Sequence, residues 1–343
     1  MTDLATKPTT TTPAPARSSG AGAAWLKWLA RRLGLAVLTL WLCSVLVFFA
    51  TAALGDPIRA ILGKDYATSP ERVATLTAEL KLDQPLITRY LDWLGGLFTG
   101  NLGNSIANGL PVGQLVGDRI VNSAVLVLVS AIVMIPVAFG IALVSANFRG
   151  KRTDNVIQII MITLAGLPEF VVGILLVALF STTLLHVLPA VTIAGGGAPP
   201  WSKPGSMILP VLTLVIAVAP YVSRIVRSSL LEVLDSDYVE LARLKGVPER
   251  IVLRKHALLN AIVPGVQVIA LQLAWLAGGV VLVEYLFSYP GIGASLVDSV
   301  RNSDFPVVQV LAMTIAAVYV GVNLIADVLS ILLTPRARTA IAS

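Results

Sequence analysis

Six long apolar runs, each close to the length of a membrane-crossing helix, dominate this sequence of 343 residues. A helix rises about 1.5 Å per residue, so about 20 apolar residues cross a hydrocarbon core of about 30 Å. Because 56% of the residues are hydrophobic and 13% are charged, a soluble protein is excluded. The predicted fold class is an all-α integral membrane protein with six transmembrane helices, at residues 33–54, 123–146, 156–185, 207–226, 261–286 and 305–333.

Lysine and arginine are concentrated in alternate loops, which predicts the orientation of the chain. Sixteen of them lie up to Arg32, in residues 147–155 and 227–260, and after residue 335, whereas residues 186–206 and 288–304 hold two. Both termini are therefore expected in the cytoplasm. The net charge of +6 does not indicate nucleic acid binding, because the basic residues lie in short clusters between apolar runs.

Composition divides the chain into a central domain with two tails. Residues 1–24 are rich in Thr, Pro, Ala and Gly and predict a disordered cytoplasmic tail. Residues 25–338 form the transmembrane domain, and residues 339–343 are a short second tail. Within the domain, residues 55–122 are expected outside the membrane, and residues 227–260 form a long cytoplasmic loop.

The sequence lacks the common motifs of catalysis. It contains no phosphate-binding G-x-x-x-x-G-K-[ST], no H-E-x-x-H and no G-x-S-x-G within a strand pattern. With Cys43 as the single cysteine and only two histidines, no disulfide framework or metal centre is expected. The chain is predicted to be no enzyme and to bind no cofactor of its own.

The cytoplasmic loop carries the most informative pattern. Asp237 followed by Glu240 predicts a capping box that starts a helix, and Gly246 suits the left-handed position that ends one. Pro248 can then open a second helix. The residues alone leave two interpretations open. The loop forms two short surface helices hinged at Gly246, or it is a basic interfacial loop that only anchors the topology.

The same residues carry a family resemblance. Glu240-Leu-Ala242, Gly246 and Ile262-Val-Pro264 resemble the EAA loop of ABC importer permeases, and the wider string from Asp237 resembles the dipeptide and oligopeptide permeases of the DppB/OppB type. Leu241 and Val263 are mild departures from the motif. In that family the loop docks into a groove of an ATP-binding subunit. The resemblance therefore implies a coupling role for five residues, Asp237, Glu240, Ala242, Gly246 and Pro248.

Further motifs extend the resemblance over residues 25–338. The matching segments are Leu54-Gly-Asp-Pro57, Leu82-Asp-Gln-Pro-Leu86, Gly100-Asn-Leu-Gly103 with Ser105, Glu284-Tyr-Leu-Phe287 with Pro290-Gly-Ile-Gly293, and Asn323 with Asp327. Near the end, Thr334 and Ser330 replace an Asp and a Tyr that are usual in the family.

The resemblance implies a type I ABC importer permease fold in the plasma (inner) membrane of a prokaryote. This chain would form half of a pore for di- or oligopeptides, paired with a second homologous permease subunit. Two ATP-binding cassette subunits would hold ATP and Mg, and an extracytoplasmic peptide-binding protein would deliver the cargo. Nickel, glutathione or haem are alternative cargoes within the same family. A secondary transporter, or a membrane scaffold or enzyme, is a competing class with less support.

Two groups of residues are candidates for contact with the cargo or its carrier. Glu169, Gln272 and Glu284 are candidates for the translocation path, although a polar residue at membrane depth can equally bond a neighbouring helix. Gly196, Pro200 and Trp201 lie in an external loop that could reach the binding protein. The alternative for that loop is an ordinary surface turn with Trp201 at the membrane interface.

Overall fold

A computed structural model describes residues 21–53, 58, 62, 70–79, 81–192, 198–248, 251–252 and 258–333. This part of the chain is helical and contains no β-strand. Its helices of eight or more residues are α1 (Ala21–Ala53), α2 (Pro70–Glu79), α3 (Leu86–Thr99), α4 (Val112–Asn147), α5 (Arg152–Ala165), α6 (Glu169–Val177), α7 (Pro204–Leu234), α8 (Asp237–Leu244), α9 (Leu258–Leu286), α10 (Ile292–Arg301) and α11 (Phe305–Leu333).

Helix α7 lies at the centre of the bundle. In its most apolar window 67% of the residues are buried, against 11% in α1. Helices α4, α5, α6 and α9 pack around α7, whereas α1 packs on α11 at the periphery. The buried side chains of α7 recur about every four residues, as a helix with one continuous packed face requires, and include Leu214, Val218, Val222, Val226 and Leu230.

Four of the described helices are long and apolar enough to cross a membrane by themselves, namely α1, α4, α7 and α11. The number rises to six if each of two bent pairs is one span. One pair is Gly265–Leu276 with Gly278–Leu286, bent by 53°, and the other is α5 with α6 and the π turn that follows α6, bent by 103°. The helical content and the number of spans agree with the predicted class of fold.

The predicted continuous helix over residues 156–185 is wrong, because α5 and α6 are separated by Gly166-Leu-Pro168. The N–H of Gly166 still bonds the carbonyl of Ile162 (3.2 Å), which completes the last turn of α5. Pro168 is extended (φ −59°, ψ 143°) and its carbonyl accepts the N–H groups of Val171 and Val172. Since proline has no N–H to continue α5, a new helix begins after it.

Other helix ends also differ from the sequence-based bounds. Helix α1 begins at Ala21, inside the predicted tail, of which residues 1–20 lie outside the described part. Helix α4 begins at Val112, so it includes the last residues of the predicted external segment. Helix α7 continues to Leu234, eight residues into the predicted loop 227–260, because Leu230 and Leu234 extend its buried stripe.

Hydrogen bonds of Tyr90 and Ser105 attach the external segment to the bundle. Tyr90 of α3 shares a hydrogen bond with Ser44 of α1 (2.9 Å). Before α4, the hydroxyl of Ser105 donates to the carboxylate of Asp304, which also accepts the backbone N–H of Ile106 (3.0 Å). These contacts hold the start of α4 against the start of α11.

Candidate coupling and pathway sites

Helix α8 is the first part of the loop that is predicted to couple the chain to a partner. Ser236 precedes it in an extended conformation, and the Ser236 carbonyl accepts the N–H groups of Val239 and Glu240. No side chain caps the helix, so the predicted capping box is wrong. Because Ser236 takes the cap position, Asp237 and Glu240 lie in the first turn, where their charge is favourable beside the helix N-terminus.

One side of α8 is anchored and another side is exposed. Val239 is fully buried in the main core. Tyr238, Leu241 and Leu244 are 45%, 53% and 79% exposed. Side chains three residues apart lie on neighbouring positions of one helix face, so these three form an exposed apolar stripe. A stripe of this kind is suited to contact another protein.

The end of α8 is a glycine-dependent turn. Gly246 has φ +77°, which confirms the predicted left-handed position. Its N–H bonds the carbonyl of Arg243 (2.9 Å), and the N–H of Val247 bonds the carbonyl of Ala242 (3.2 Å). This is the Schellman pattern of helix ends. The carbonyl of Pro248 then accepts the N–H of Ile251 (2.8 Å), so a new turn follows the hinge.

A buried ion pair lies next to this loop. Asp154, at the start of α5, is 3% exposed and accepts two hydrogen bonds from Arg227 of α7, to Oδ2 (2.6 Å) and to Oδ1 (3.0 Å). Ser145 of α4 donates to Asp154 Oδ1 (2.5 Å), and the N–H of Gly150 donates to Oδ2 (3.3 Å). We call Asp154, Arg227, Ser145 and Gly150 the cytoplasmic clasp. It joins α4, α5 and α7 at their predicted cytoplasmic ends.

A second, exposed ion pair lies beside the clasp. Arg149 Nη1 donates to Asp235 Oδ1 (2.6 Å), between the end of α4 and the turn before α8. The hydrogen bond from Arg149 holds the pKa of Asp235 below its usual value. A lowered carboxyl pKa adds stability above the unfolded pKa, and this is lost only as the pH falls through the folded pKa. Since the folded and the unfolded pKa of Asp235 both lie in the acid range, its ion pair with Arg149 stays charged at neutral pH.

Sequence reasoning did not find the clasp. Asp154 and Arg227 are 73 positions apart, and each looks like an ordinary charge at a helix end. The sequence offered one signal for Asp154, which is its place in the first turn of an apolar helix next to a short basic loop. Nothing in that signal identifies Arg227 as the partner.

Glu169 lies at the break between α5 and α6. It is the first residue of α6 and is half-buried. Its carboxylate makes no hydrogen bond or ion pair with any described residue. Irregular backbone at membrane depth is tolerated where it is buried in protein or lines a water-filled cavity, and not against lipid. Gly166 and Pro168 are exposed on this chain, so the break needs a protein or aqueous environment from outside it.

Glu284 is placed differently from its predicted position on the path. It is fully buried, and its carboxylate accepts hydrogen bonds from Ser123 Oγ (2.5 Å) and the N–H of Gly293 (2.7 Å). The N–H of Ile292 donates in turn to Ser123 Oγ (2.8 Å). A Cβ at Gly291 would overlap the carboxylate. Glu284 has no exposed surface, and its contacts make it a structural link between α4, α9 and α10.

The residues around Glu284 explain the motif from Glu284 to Gly293. The Tyr289 hydroxyl donates to the Asn122 carbonyl (2.8 Å), and the Asn122 side chain donates to the Pro290 carbonyl (2.8 Å). Phe287 is 1% exposed, and a Cβ at Gly293 would overlap Val281. The motif therefore encodes a tight turn between α9 and α10.

The remaining predicted residues are separate from these contacts. Gln272 is half-buried in α9, and no hydrogen bond joins it to Glu169 or Glu284. In the external loop Pro200 is buried and Trp201 is 41% exposed, so Trp201 but not Pro200 is available to a partner. Gly196 lies outside the described residues.

Two family descriptions match the chain. Residues 135–339 match the inner membrane component of binding-protein-dependent transport systems, and residues 25–113 match the N-terminal part of such membrane components. With the helical bundle, these matches define an integral membrane permease of the type I importer fold. The chain belongs to the family of binding-protein-dependent transport system inner membrane components, the multi-pass permease subunits of ABC importers.

Relatives cover almost the whole chain. The glutathione transport system permease protein GsiC of Salmonella choleraesuis (strain SC-B67) is 36% identical over 311 residues, which is 90% of this chain and 98% of the relative. GsiC of Escherichia coli (strain K12) is 34% identical over 314 residues, 91% of this chain and 99% of the relative. The probable peptide ABC transporter permease protein y4tP of Sinorhizobium fredii is 32% identical over 313 residues, with shares of 91% and 99%.

Proposed function

We propose that this chain forms half of the translocation pore of an ATP-driven importer for short peptides, with glutathione among its cargoes. The names of the relatives support this cargo class, since they include glutathione permeases and a probable peptide permease. A second homologous permease subunit completes the pore. Two ATP-binding cassette subunits hold ATP and Mg and hydrolyse the nucleotide, and an extracytoplasmic peptide-binding protein supplies the cargo.

The exposed apolar stripe of α8 is the observation that carries this proposal. Leu241 and Leu244 would be unfavourable in water and are held away from the core by the anchoring of Val239. A groove on an ATP-binding subunit would cover them. The left-handed Gly246 sets the direction in which the chain leaves α8 toward Pro248, so the docking surface has one orientation.

The break at Gly166-Leu-Pro168 supports a translocation path along α5 and α6. If the second permease subunit and a wet path cover this surface, the irregular backbone avoids lipid. Glu169 then offers a carboxylate to the path, and the amino group of a peptide is its natural partner. Trp201 is exposed in the loop that is predicted to lie outside the membrane, where a binding protein would dock.

Reconstitution tests the proposal. The purified transporter, with its partner subunits and binding protein, is placed in vesicles, and uptake of labelled glutathione, trialanine and nickel is measured with and without ATP. ATP-dependent uptake of glutathione or trialanine that requires the binding protein is expected. Uptake of nickel alone would contradict the cargo class, and uptake without ATP would contradict the ATP-driven mechanism.

A further inference from the structure

The cytoplasmic clasp lies between two regions that have different roles in the proposed function. One is α8, which docks to the ATP-binding subunit, and the other is the break between α5 and α6, which lies on the translocation path. On one side, α7 runs without interruption through Arg227 to Leu234 and then into α8. On the other side, Asp154 lies in the first turn of α5, whose far end is the break before Glu169. The clasp is the place where α5 is bonded through side chains to the end of α7.

The chemistry of the clasp makes this connection stiff. Asp154 accepts four hydrogen bonds, two from one guanidinium, one from a hydroxyl and one from a backbone N–H. A bidentate pair between a guanidinium and a carboxylate fixes an orientation as well as a distance. Gln158, one turn further along α5, donates to Ser145 Oγ (2.9 Å) and so adds a second link between α4 and α5.

Two further bonds extend the connection to α8. Arg243 of α8 donates to the carbonyl of Leu234 at the end of α7 (3.2 Å). The exposed pair of Arg149 and Asp235 holds the turn between α7 and α8 to the end of α4. These hydrogen bonds, together with the backbone of α7 between Arg227 and Leu234, therefore connect α8 to the start of α5.

We propose that Asp154 and Arg227 are positioning residues for coupling, which transmit displacement of α8 to the broken α5–α6 span. This inference rests on the proposed function, in which an ATP-binding subunit moves α8. A displacement of α7 at Arg227 then carries Asp154 and α5 with it, so the break is displaced relative to α9. Without the clasp, only the packing of α5 on α7 passes this displacement on, and coupling weakens.

The experiment measures cargo molecules imported per ATP hydrolysed, in vesicles that contain the complete transporter, with glutathione and trialanine as the probes. The variants are Asp154→Asn, Arg227→Gln and the double variant. Each single variant is expected to lower this ratio about tenfold while the ATP-binding subunits still co-purify and ATP hydrolysis persists. The double variant should be no worse than either single one, because both remove the same link.

Milder variants keep the test decisive if Asp154→Asn fails to fold. Arg227→Lys keeps the charge but loses the bidentate geometry, and Arg149→Gln removes only the exposed pair. Each should lower the ratio by about two- to fivefold. Lys81→Gln, which breaks the exposed pair with Asp92 in the external segment (3.0 Å), is the matched control and should leave the ratio unchanged.

Four results are informative. An unchanged ratio in Arg227→Lys and Arg149→Gln would overturn the proposal, as would a loss of uptake that only follows the amount of folded protein. Failure of the proposed function is a different result, because the unaltered transporter would then import neither probe with ATP. Additive losses in the double variant would also contradict a shared link.

Discussion

At Gly291 a single missing side chain makes room for a buried carboxyl group. The position is extended and needs no special dihedral angle, yet a Cβ there would overlap the carboxylate of Glu284. That carboxylate is bonded by Ser123 and by the N–H of Gly293. The sequence shows the P-G-x-G pattern, but only the fold shows that the space belongs to Glu284, 7 positions earlier in the chain.

Gly291→Ala should therefore destabilise the protein. The added methyl group must displace Glu284 or the turn, and overpacking of this kind costs about 1–3 kcal/mol. The measurement is thermal unfolding of the purified subunit in detergent. Gly140→Ala is the control, because a Cβ there meets no atom within 4 Å and alanine favours the helix. Equal melting temperatures for the two variants would contradict the proposed packing.

Gly246 tests the hinge after α8. At φ +77° a β-branched side chain costs about 1–2 kcal/mol, so Gly246→Val should redirect the chain after α8. Membrane insertion is expected to be normal, whereas co-purification of the ATP-binding subunits and peptide uptake should fall severely. Gly246→Asn is the matched variant, since Asn tolerates the left-handed region, and it should retain most of both activities. If Gly246→Val associates with the ATP-binding subunits and imports peptide normally, the loop only anchors the topology and has no coupling role.

Glu240 belongs to the same helix but has a weaker role. Because it caps nothing and only contributes charge to the first turn, Glu240→Ala should reduce uptake mildly. The effect on helix stability is expected to be about 0.3–1 kcal/mol at most. A loss of uptake as large as that of Gly246→Val would show that Glu240 contacts the partner directly.

Among the helices, proline occurs in two different settings, and this is why the break in the span could not be predicted. Pro136, Pro210 and Pro220 all lie inside continuous helices, where neighbouring helices support the backbone. Pro168 instead ends one helix and precedes another. The run over residues 156–185 is mostly apolar like the others, so hydrophobicity alone could not distinguish the two cases. Gly166, two residues before Pro168, is the local signal that the prediction did not use.

Glu169 at this break gives a prediction about cargo. If its carboxylate meets the amino group of a peptide, Glu169→Gln should raise the KM for trialanine about tenfold, because a charge-assisted hydrogen bond is weakened. N-acetyl-trialanine has no such charge, and its uptake by the variant should match that of the unaltered transporter. The control variant is Asp92→Asn, in the external segment. Equal effects on both peptides would assign Glu169 a structural role.

At the scale of the whole molecule, the distribution of lysine and arginine predicts the orientation, and the fold supplies accessible positions to test it. Ser202, Asn302 and Thr153 are all exposed. In a Cys43→Ala background, cysteines at Ser202 and Asn302 should react with an impermeant thiol reagent from outside sealed cells. A cysteine at Thr153 should react only after the cells are opened. Labelling of Thr153→Cys from outside would contradict the predicted orientation.

The long-range links were beyond sequence reasoning for a common physical reason. Membrane helices are recognised by composition, which is local, whereas the pairs of Asp154 with Arg227 and of Ser123 with Glu284 join residues 73 and 161 positions apart. The glycine hinge at Gly246 was predictable because its cause lies in its own backbone. The capping of α8 was not, since Ser236 and Asp237 are both capable N-cap residues.

Docking of α8 to an ATP-binding subunit can be detected by cross-linking in the membrane. In the Cys43→Ala background, Leu241→Cys and Leu244→Cys place thiols on the exposed apolar stripe, and Trp201→Cys places one in the external loop. After these cysteines are labelled with a thiol-reactive photo-cross-linker and the membranes are irradiated, both stripe cysteines should cross-link to the ATP-binding subunit and Trp201→Cys should not. Absence of this product from both stripe positions, in a transporter that still imports peptide, would show that α8 does not dock to the ATP-binding subunit.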